Sequence, residues 1–321
     1  FNTETFLLLS LAKKKILEVP IPTFYGEEIS SLKSINYGFA ILKTTLIFYL
    51  QKFSIFYDRK YNLENFDIIQ KEKIFKKDNN EKYESKLNFD STHSRVIKKI
   101  KNQSKILSLG CGNAYVENFL KNNKDCYING IDNFSSSGIK SLNEHSIENF
   151  NNYNFDINLE GYDYVLLLDV IEHLHNPENF MNKLYDAMSL NPDCKLLIST
   201  PNVANIFIRF MLFFGKFNYG QRGILDKTHT RLFTKKTFVK ILEENNFSVL
   251  NTEYIPIPFP LIIKNKLFVS FIMKIQNILN KINGKLFSFQ ILCESEAYPS
   301  LDFLIKKNWS NLGKFEINLR F

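Results

Sequence analysis

The sequence is poor in the residues that cross-link chains or bind metals. Its 321 residues include four cysteines, without any C-x-x-C spacing, and five histidines. This pattern argues against a disulfide framework and a zinc finger, and it predicts reduced thiols in a cytoplasmic protein. His173 and His175 are two positions apart and would not share a helix face, so no metal site is predicted.

Two further absences narrow the class of protein. No G-x-S-x-G motif occurs, which argues against a Ser-His-Asp hydrolase of the α/β type. No apolar run approaches the ~20 residues that a membrane-spanning helix needs, and no signal peptide is recognisable. The first residue is Phe1 rather than Met, which predicts a fragment or a processed product.

The chain nevertheless has enough apolar residues for a large core. Hydrophobic residues make up 45% of it and include 31 phenylalanines, which suits one full α/β domain with a smaller appendage. The net charge is +8, yet residues 101–260 carry 15 basic and 17 acidic side chains. Because the positive excess lies in the flanks, without a dense basic patch, nucleic acid is not predicted as a partner.

The most informative segment is KILSLGCGNAYVENFL, residues 105–120. An apolar, strand-like run meets Gly110-Cys111-Gly112, and a helical pattern follows. Glycines at such a junction let the backbone approach a ligand closely, and the helix N-terminus presents free N–H donors. The segment therefore predicts a strand, a ligand-binding turn and a helix.

More strand-like runs follow at the spacing of βαβ units. CYINGID ends in Asp132, about twenty residues after the turn, where nucleoside-binding folds place a carboxylate on the ribose. NYNFDIN predicts a third strand before Asp156, YVLLL a fourth before Asp169, and CKLLIST a fifth. Because open α/β sheets bind ligands at the carboxyl ends of their strands, these polar residues are predicted to surround one crevice.

The stretch from about Val96 to Lys306 resembles the class I S-adenosylmethionine-dependent methyltransferases, most strongly between Lys105 and Asn202. Ala114 stands where a dinucleotide fingerprint has its third glycine, in keeping with a cofactor that lacks a pyrophosphate. This family usually has an acidic residue two positions before the first glycine. The present chain has Ser108 there.

The resemblance implies S-adenosyl-L-methionine as the cofactor and assigns residues to it. Gly110 and Gly112 would contact the methionine end and Asp132 the ribose. Asp156 and Ile157 would lie beside the adenine. The whole implied set of cofactor-binding residues is Gly110, Cys111, Gly112, Asp132, Asn133, Asp156, Ile157, Leu168 and Asp169.

A second resemblance covers the N-terminus. FNTETFLLLSLAKKKILEVPIPTFYGEEIS and its continuation to about Tyr61 are similar to the tail of family-two glycosyltransferases of the polyprenyl-phosphate type. KYESKLNFDSTHSRVI resembles the junction at which such an enzyme continues into a methyltransferase. The resemblance implies a glycosyltransferase–methyltransferase fusion, with an upstream glycosyltransferase domain as the partner.

Together these patterns predict an α/β fold with a Rossmann-like methyltransferase domain at residues 96–306. A mostly parallel seven-stranded sheet is expected, with helices on both faces. Residues 1–61 are predicted to be a small, mainly helical extension, the remnant of a glycosyltransferase C-terminal region. Residues 62–95 read as a linker and residues 307–321 as a C-terminal tail.

Two histidines are candidate catalytic residues. A hydroxyl acceptor benefits from a general base that titrates near neutral pH, which favours histidine. His173 follows the fourth strand at the ligand end, or else it begins a helix and bonds nearby backbone. His229 lies in GILDKTHTRLFT, which resembles a signature of sugar-modifying and natural-product-modifying members of the family. With Asp226 and Arg231, it either forms a substrate-side network or pins this segment to the core, and Thr234 is a predicted helix N-cap.

Three apolar stretches could contact a bulky substrate or a membrane. Residues 33–53 and 262–282 combine apolar faces with lysines, which is typical of helices at an anionic lipid surface and also of helices packed on protein. Six aromatic residues between Phe207 and Tyr219 would suit either core packing or the wall of an acceptor pocket.

The predicted function is methyl transfer from S-adenosylmethionine to a hydroxyl of a glycan, glycolipid or polyprenyl-linked sugar. One alternative is a methyltransferase of a small aromatic or quinone-like acceptor. Another is a non-catalytic module of the same fold that scaffolds a glycosyltransferase. The expected location is cytoplasmic, peripheral to the inner face of a membrane.

Overall fold

The computed structural model describes residues 3–12, 14–17, 34–51, 61, 86–136, 138–152, 159–220, 222–261, 263 and 265–305. The chain divides into two compact units. The first comprises Phe1–Glu81 with Phe210–Lys227, and the second comprises Lys82–Arg209 with Thr228–Phe321.

The first unit contains two complete helices within its described residues, α1 (Thr3–Leu11) and α2 (Ser34–Gln51). The predicted helix at residues 33–53 is thus confirmed. Phe48 of α2 is buried and meets the ring of Tyr61 edge-on, with 5.4 Å between ring centroids.

The second unit is built on a seven-stranded sheet. In chain order its strands are β1 (Lys105–Leu109), β2 (Tyr127–Asp132), β3 (Glu144–Ile147), β4 (Tyr164–Leu168), β5 (Lys195–Pro201), β6 (Phe247–Ile255) and β7 (Gln290–Ala297). The main helices are α3 (Thr92–Lys99), α4 (Tyr115–Lys124), α5 (Pro177–Met188), α7 (Lys235–Glu244) and α8 (Lys266–Phe287); α6 (Ile206–Phe213) crosses into the first unit.

The strand order is β3-β2-β1-β4-β5-β7-β6, and β7 runs antiparallel to the other six strands. The order reverses between β1 and β4, which are paired in parallel. At such a switch point the connections leave the two strands in opposite directions, so a crevice opens at their carboxyl ends. The expected mostly parallel seven-stranded sheet of a Rossmann-like α/β fold is confirmed, and the glycine turn after β1 lies at this crevice.

Both faces of the sheet are buried, as the prediction of helices on both faces requires. Alternate residues of β1 and β4 belong to two different apolar clusters. Leu107 and Val165 pack on one face with residues of α5 and α7, whereas Ile106 and Leu166 pack on the other with residues of α3 and α4.

Local signals in the sequence account for several element ends. Thr234 caps α7 and forms a reciprocal capping box with Thr237, which confirms the predicted N-cap. Strands β1, β2, β4 and β5 lie where the apolar runs predicted them. The third described strand is different: it is β3, which begins eight residues before NYNFDIN, and most of NYNFDIN lies outside the described residues.

Helix α8 confirms the helix that the sequence predicted near residues 262–282. None of the helices within the described residues is both long and apolar enough to cross a membrane. Large apolar side chains of α8 are nevertheless exposed, among them Leu267 at 86%, Phe271 at 61% and Ile282 at 73%.

Candidate active site

The glycine turn after β1 needs both of its glycines, for different reasons. Gly110 has φ +80° and donates its N–H to the Ile131 carbonyl at 2.8 Å. A Cβ on Gly110 would lie 2.2 Å from Cγ2 of Val170, so no side chain fits. Gly112 has φ +55°, and a Cβ there would meet no described atom within 4 Å. The backbone at Gly112 therefore borders open space that a ligand can enter.

Asp132 ends β2 and faces this turn. Its Oδ2 accepts the Gly112 N–H at 2.6 Å, and its Oδ1 accepts the Phe134 N–H at 3.0 Å. The residue is 6% exposed. The carboxylate thus joins the carboxyl ends of β1 and β2, and carboxylate oxygens retain further lone pairs for hydroxyl donors.

Three neighbours complete the turn. Ala114 adopts φ +54°, a left-handed conformation that favours glycine, immediately before α4. Cys111 is partly buried; burial, together with the acidic groups of Glu117 and Asp132, raises the pKa of its thiol, so the thiol stays protonated. The Asn133 Oδ1 accepts the Phe150 N–H at 3.3 Å and so holds the loop that follows β3.

Leu168 and Asp169 lie at the end of β4, as predicted. Asp169 has φ +56°. Its Oδ1 accepts the Ser199 hydroxyl at 2.7 Å, and its Oδ2 accepts the Gln290 amide at 2.6 Å. These bonds tie β4 to β5 and β7 at the crevice. Asp156 and Ile157, predicted beside the adenine, lie outside the described residues.

A small cavity of about 50 Å³ opens beside Asp169 and is also lined by His93, Ile255 and Gln290. Burial is the main cause that lowers the pKa of His93 to about 4. The imidazole is therefore neutral at physiological pH. Sequence reasoning did not single out His93, because nothing in the junction-like segment around it marks this histidine as functional.

Sequence reasoning also missed a buried acid next to the turn. Glu117, in the first turn of α4, accepts the Ser108 hydroxyl at 2.6 Å. Burial is the main cause that raises the pKa of Glu117 to about 7, and Asp132 acts in the same direction. The signal was available, since Ser108 occupies the position where the family usually has an acid.

The two predicted catalytic histidines lie together. The rings of His173 and His229 meet edge-on with 4.8 Å between centroids. The Nδ1 of His173 lies 3.1 Å from the Thr228 carbonyl oxygen. Since a carbonyl only accepts, Nδ1 is the donor in this contact, and in the neutral tautomer Nε2 is then the nitrogen that can accept a proton.

Backbone bonds explain why these distant segments meet. The Glu172 carbonyl accepts the N–H groups of Thr230 and Arg231, at 2.8 and 3.1 Å. The Thr230 hydroxyl donates to the Leu174 carbonyl at 2.6 Å. Arg231 pairs with Glu178 at 2.6 Å, and both side chains are about half exposed. Arg231 thus helps pin its segment to α5.

Glu172, His173 and His229 also have the donor types of a divalent-cation site. One ligand atom of each lies within 4.8 Å of the others. Sequence reasoning weighed only the pair His173 and His175 as metal ligands, and it predicted no metal site. Carboxylate and imidazole ligands suit several transition metals, so a chelator control belongs in any test of these histidines.

Comparison with known proteins identifies the domain. A family model described as a methyltransferase domain matches residues 75–252, which is more than half of the chain. The chain belongs to this methyltransferase family. It is an S-adenosylmethionine-dependent enzyme, and S-adenosylmethionine is its cofactor. No curated protein matches the methyltransferase.

Several solved structures are similar to the methyltransferase. A SAM-dependent methyltransferase from Archaeoglobus fulgidus is 17% identical over 67% of this chain and 93% of its own, with a TM-score of 0.45. A Burkholderia thailandensis 1,6-didemethyltoxoflavin-N1-methyltransferase with bound S-adenosylhomocysteine is 10% identical over 64% and 76%, with a TM-score of 0.42. Phosphoethanolamine N-methyltransferase 2 from Haemonchus contortus, in complex with S-adenosyl-L-methionine, is 14% identical over 64% and 51%, also with a TM-score of 0.42.

Proposed function

We propose that the methyltransferase binds S-adenosylmethionine at the carboxyl ends of β1, β2 and β4 and methylates a hydroxyl of a glycan, glycolipid or polyprenyl-linked sugar. One observation supports the cofactor site above all. Asp132 holds the Gly112 N–H at 2.6 Å beside open space at Gly112. A nucleoside with a short charged tail needs such a close backbone approach and a carboxylate for its ribose hydroxyls.

In this proposal the cofactor-binding residues are those at the crevice. Gly110, Cys111 and Gly112 form the turn, Asp132 and Asn133 follow β2, and Leu168 and Asp169 follow β4. Asp156 and Ile157 are retained as adenine-side residues on the family resemblance. Bound S-adenosylmethionine supplies a sulfonium-activated methyl group with a neutral thioether as leaving group.

The chain's own contribution to the transfer is positioning and proton removal. His173 Nε2, with Nδ1–H held by the Thr228 carbonyl, accepts the proton of the acceptor hydroxyl as its oxygen takes the methyl group. His229 packs against this ring and limits its rotation. Alignment of the hydroxyl with the methyl group supplies much of the rate.

The acceptor class rests on the glycosyltransferase-like residues 1–61, which is an argument by analogy. Exposed aromatic side chains in and after α6 add support, because sugar rings stack on aromatic faces; Phe213 is 83% exposed and Phe214 57%. Incubation with candidate lipid-linked sugars and labelled cofactor, followed by mass spectrometry, tests the class. A mass increase of one methyl group on a glycan is expected, whereas methylation of quinone-like acceptors alone would contradict it.

The cofactor site makes a sharp prediction for Asp132. We expect Asp132→Ala to weaken S-adenosylmethionine binding at least about tenfold, because the ribose loses its acceptor and the turn loses its bond to Gly112. Calorimetric titration of the full chain measures this. Asp163→Ala is the matched control. Asp163 also accepts a backbone N–H, from Lys105 at 2.8 Å, but it lies at the amino-terminal ends of β1 and β4, away from the crevice. Equal losses in both variants would argue against the assignment.

We also propose peripheral membrane contact through α8. Its exposed apolar residues Leu267, Phe271 and Ile278 alternate with exposed lysines 266, 274 and 281. This combination favours an anionic lipid surface.

We expect the full chain to co-sediment with anionic vesicles at low salt and Phe271→Ser/Ile278→Ser to lose most of this binding. A Leu190→Ser/Leu250→Ser variant, which removes exposed apolar side chains elsewhere in the same unit, should still bind. Binding of all three proteins alike, or of none, would remove the membrane proposal.

A further inference from the structure

A hydrogen bond between two buried residues occupies the position where the family's usual acid is missing. The Ser108 hydroxyl donates to Glu117 Oε1 at 2.6 Å, and the two residues are 2% and 4% exposed. Ser108 is two residues before Gly110, and Glu117 is in the first turn of α4, directly after the glycine turn. The bond therefore joins the two elements that flank the turn.

The carboxyl group of Glu117 lies near the point that the end of an acidic side chain would reach if position 108 carried one. Such a side chain would start from the same Cβ and extend past the position of the Ser108 oxygen. Here the serine is short, and Glu117 approaches from the helix to within 2.6 Å of it. The chain thus has an acid at this point in space, contributed by a different position in the sequence.

We infer that Glu117 supplies the carboxylate that strand position 108 lacks, and that it binds the ammonium group at the methionine end of S-adenosylmethionine. This inference rests on the proposed cofactor site. The turn at Gly110 to Gly112 borders the methionine end in that proposal, and the methionine portion carries an ammonium. A charge-assisted hydrogen bond between ammonium and carboxylate is among the stronger polar contacts in proteins.

The surroundings of Glu117 explain why a cation is needed. Its neighbours on α4 and β1 are apolar and buried, among them Val116, Leu120 and Ile106. The titratable groups that act on it or respond to it are Asp132 and the Cys111 thiol, both acids. No cation of the described residues is among the causes that shift its titration. A buried carboxylate without a positive partner is costly, so burial favours the protonated form of Glu117.

Proton linkage follows from this arrangement. Burial raises the pKa of Glu117 to about 7, so much of the group is protonated below neutrality in the free protein. A bound ammonium favours the ionised form. Binding near pH 6 should therefore release close to one proton, and affinity should rise as the pH increases toward about 7.

Calorimetry of the full chain tests the inference. Titrations near pH 6 in two buffers of different ionisation enthalpy count the protons released. We expect about one for the wild type and close to none for Glu117→Gln. Above about pH 7 the variant should bind about tenfold more weakly. S-adenosylhomocysteine should lose the same factor, because it carries the same ammonium.

Two further variants separate a binding role from a structural one. Glu244→Gln removes an exposed acid of α7 and should match the wild type. Ser108→Asp/Glu117→Leu returns the acid to the strand and should recover affinity to within about threefold of the wild type. A purely structural role of Glu117 predicts no recovery. This double variant also keeps the test valid if Glu117→Gln melts at a lower temperature.

The outcomes distinguish a failure of the Glu117 assignment from a failure of the proposed function. If the wild type does not bind S-adenosylmethionine, the proposed function fails and this inference fails with it. If the wild type binds and Glu117→Gln has the same affinity and proton release, only the inference is overturned. A loss for S-adenosylmethionine without a loss for S-adenosylhomocysteine would overturn the ammonium assignment, because the carboxylate would then act on the sulfonium.

Discussion

A His173→Ala variant should lose at least about 100-fold in turnover while its affinity for S-adenosylmethionine stays unchanged. General-base catalysis contributes about 10²- to 10⁴-fold, and a methyl side chain cannot accept the hydroxyl proton. In the proposal His173 acts on the acceptor hydroxyl, with its ring oriented by the Thr228 carbonyl, and it does not bind the cofactor. The loss should therefore appear in kcat rather than in cofactor binding. Formation of S-adenosylhomocysteine with an identified acceptor measures it.

The neighbouring histidines provide the controls for this prediction. His229→Ala should cost less, about tenfold, because His229 orients the ring of His173 and does not itself take the proton in the proposal. His175 is exposed two residues beyond His173, and His175→Ala should be indistinguishable from the wild type. Full turnover by the His173→Ala variant would rule out His173 as the general base.

A chelator arm separates base catalysis from metal catalysis. Glu172, His173 and His229 lie close enough to share a cation. We expect dialysis against a chelator to leave turnover unchanged. Loss of turnover after chelation, with recovery on adding one divalent metal, would assign these residues to a metal site instead.

The second large effect concerns the two glycines of the turn, whose substitution by alanine should impair different properties: stability at Gly110 and cofactor binding at Gly112. Gly110→Ala should lower the free energy of unfolding by about 3 kcal/mol, from a left-handed φ and a Cβ that collides with the stiff Val170 side chain. Gly112→Ala should cost only about 1 kcal/mol, since its methyl group meets no described atom within 4 Å. The latter should instead weaken cofactor binding at least about tenfold, because the methyl group enters the space proposed for the ligand.

Denaturant unfolding and calorimetric titration measure the two effects separately. Gly161→Ala is the matched control. Gly161 has φ +73°, and a Cβ there also meets no described atom within 4 Å. It precedes the amino-terminal end of β4, however, and the crevice is at the carboxyl end. This variant should cost about 1 kcal/mol and bind normally. Normal binding by Gly112→Ala would contradict the placement of the cofactor.

Strong local patterns made much of the sheet predictable. The apolar runs before Gly110, Asp132 and Asp169 became β1, β2 and β4, because strands buried on both faces require uninterrupted apolar side chains. The cap at Thr234 was also predictable from local sequence, because a capping box involves only residues three positions apart.

The third strand was missed because it lacks such a pattern. Strand β3 is EHSI, with one half-buried residue and three exposed ones, and it pairs only with β2 at the edge of the sheet. An edge strand that buries little needs no apolar run, so periodicity cannot detect it. The sequence predicted a strand in the more apolar NYNFDIN, and most of that segment lies outside the described residues.

The sequence alone determined which residues end the buried strands and where the glycine turn lies, because those signals come from neighbours along the chain. The tertiary structure decided which distant groups share a location. It brought His229 to His173 through backbone bonds between segments more than fifty residues apart, and over a shorter range of nine residues it brought Glu117 to Ser108. Such pairings depend on helix packing and loop closure, and residue types at those positions do not encode them singly.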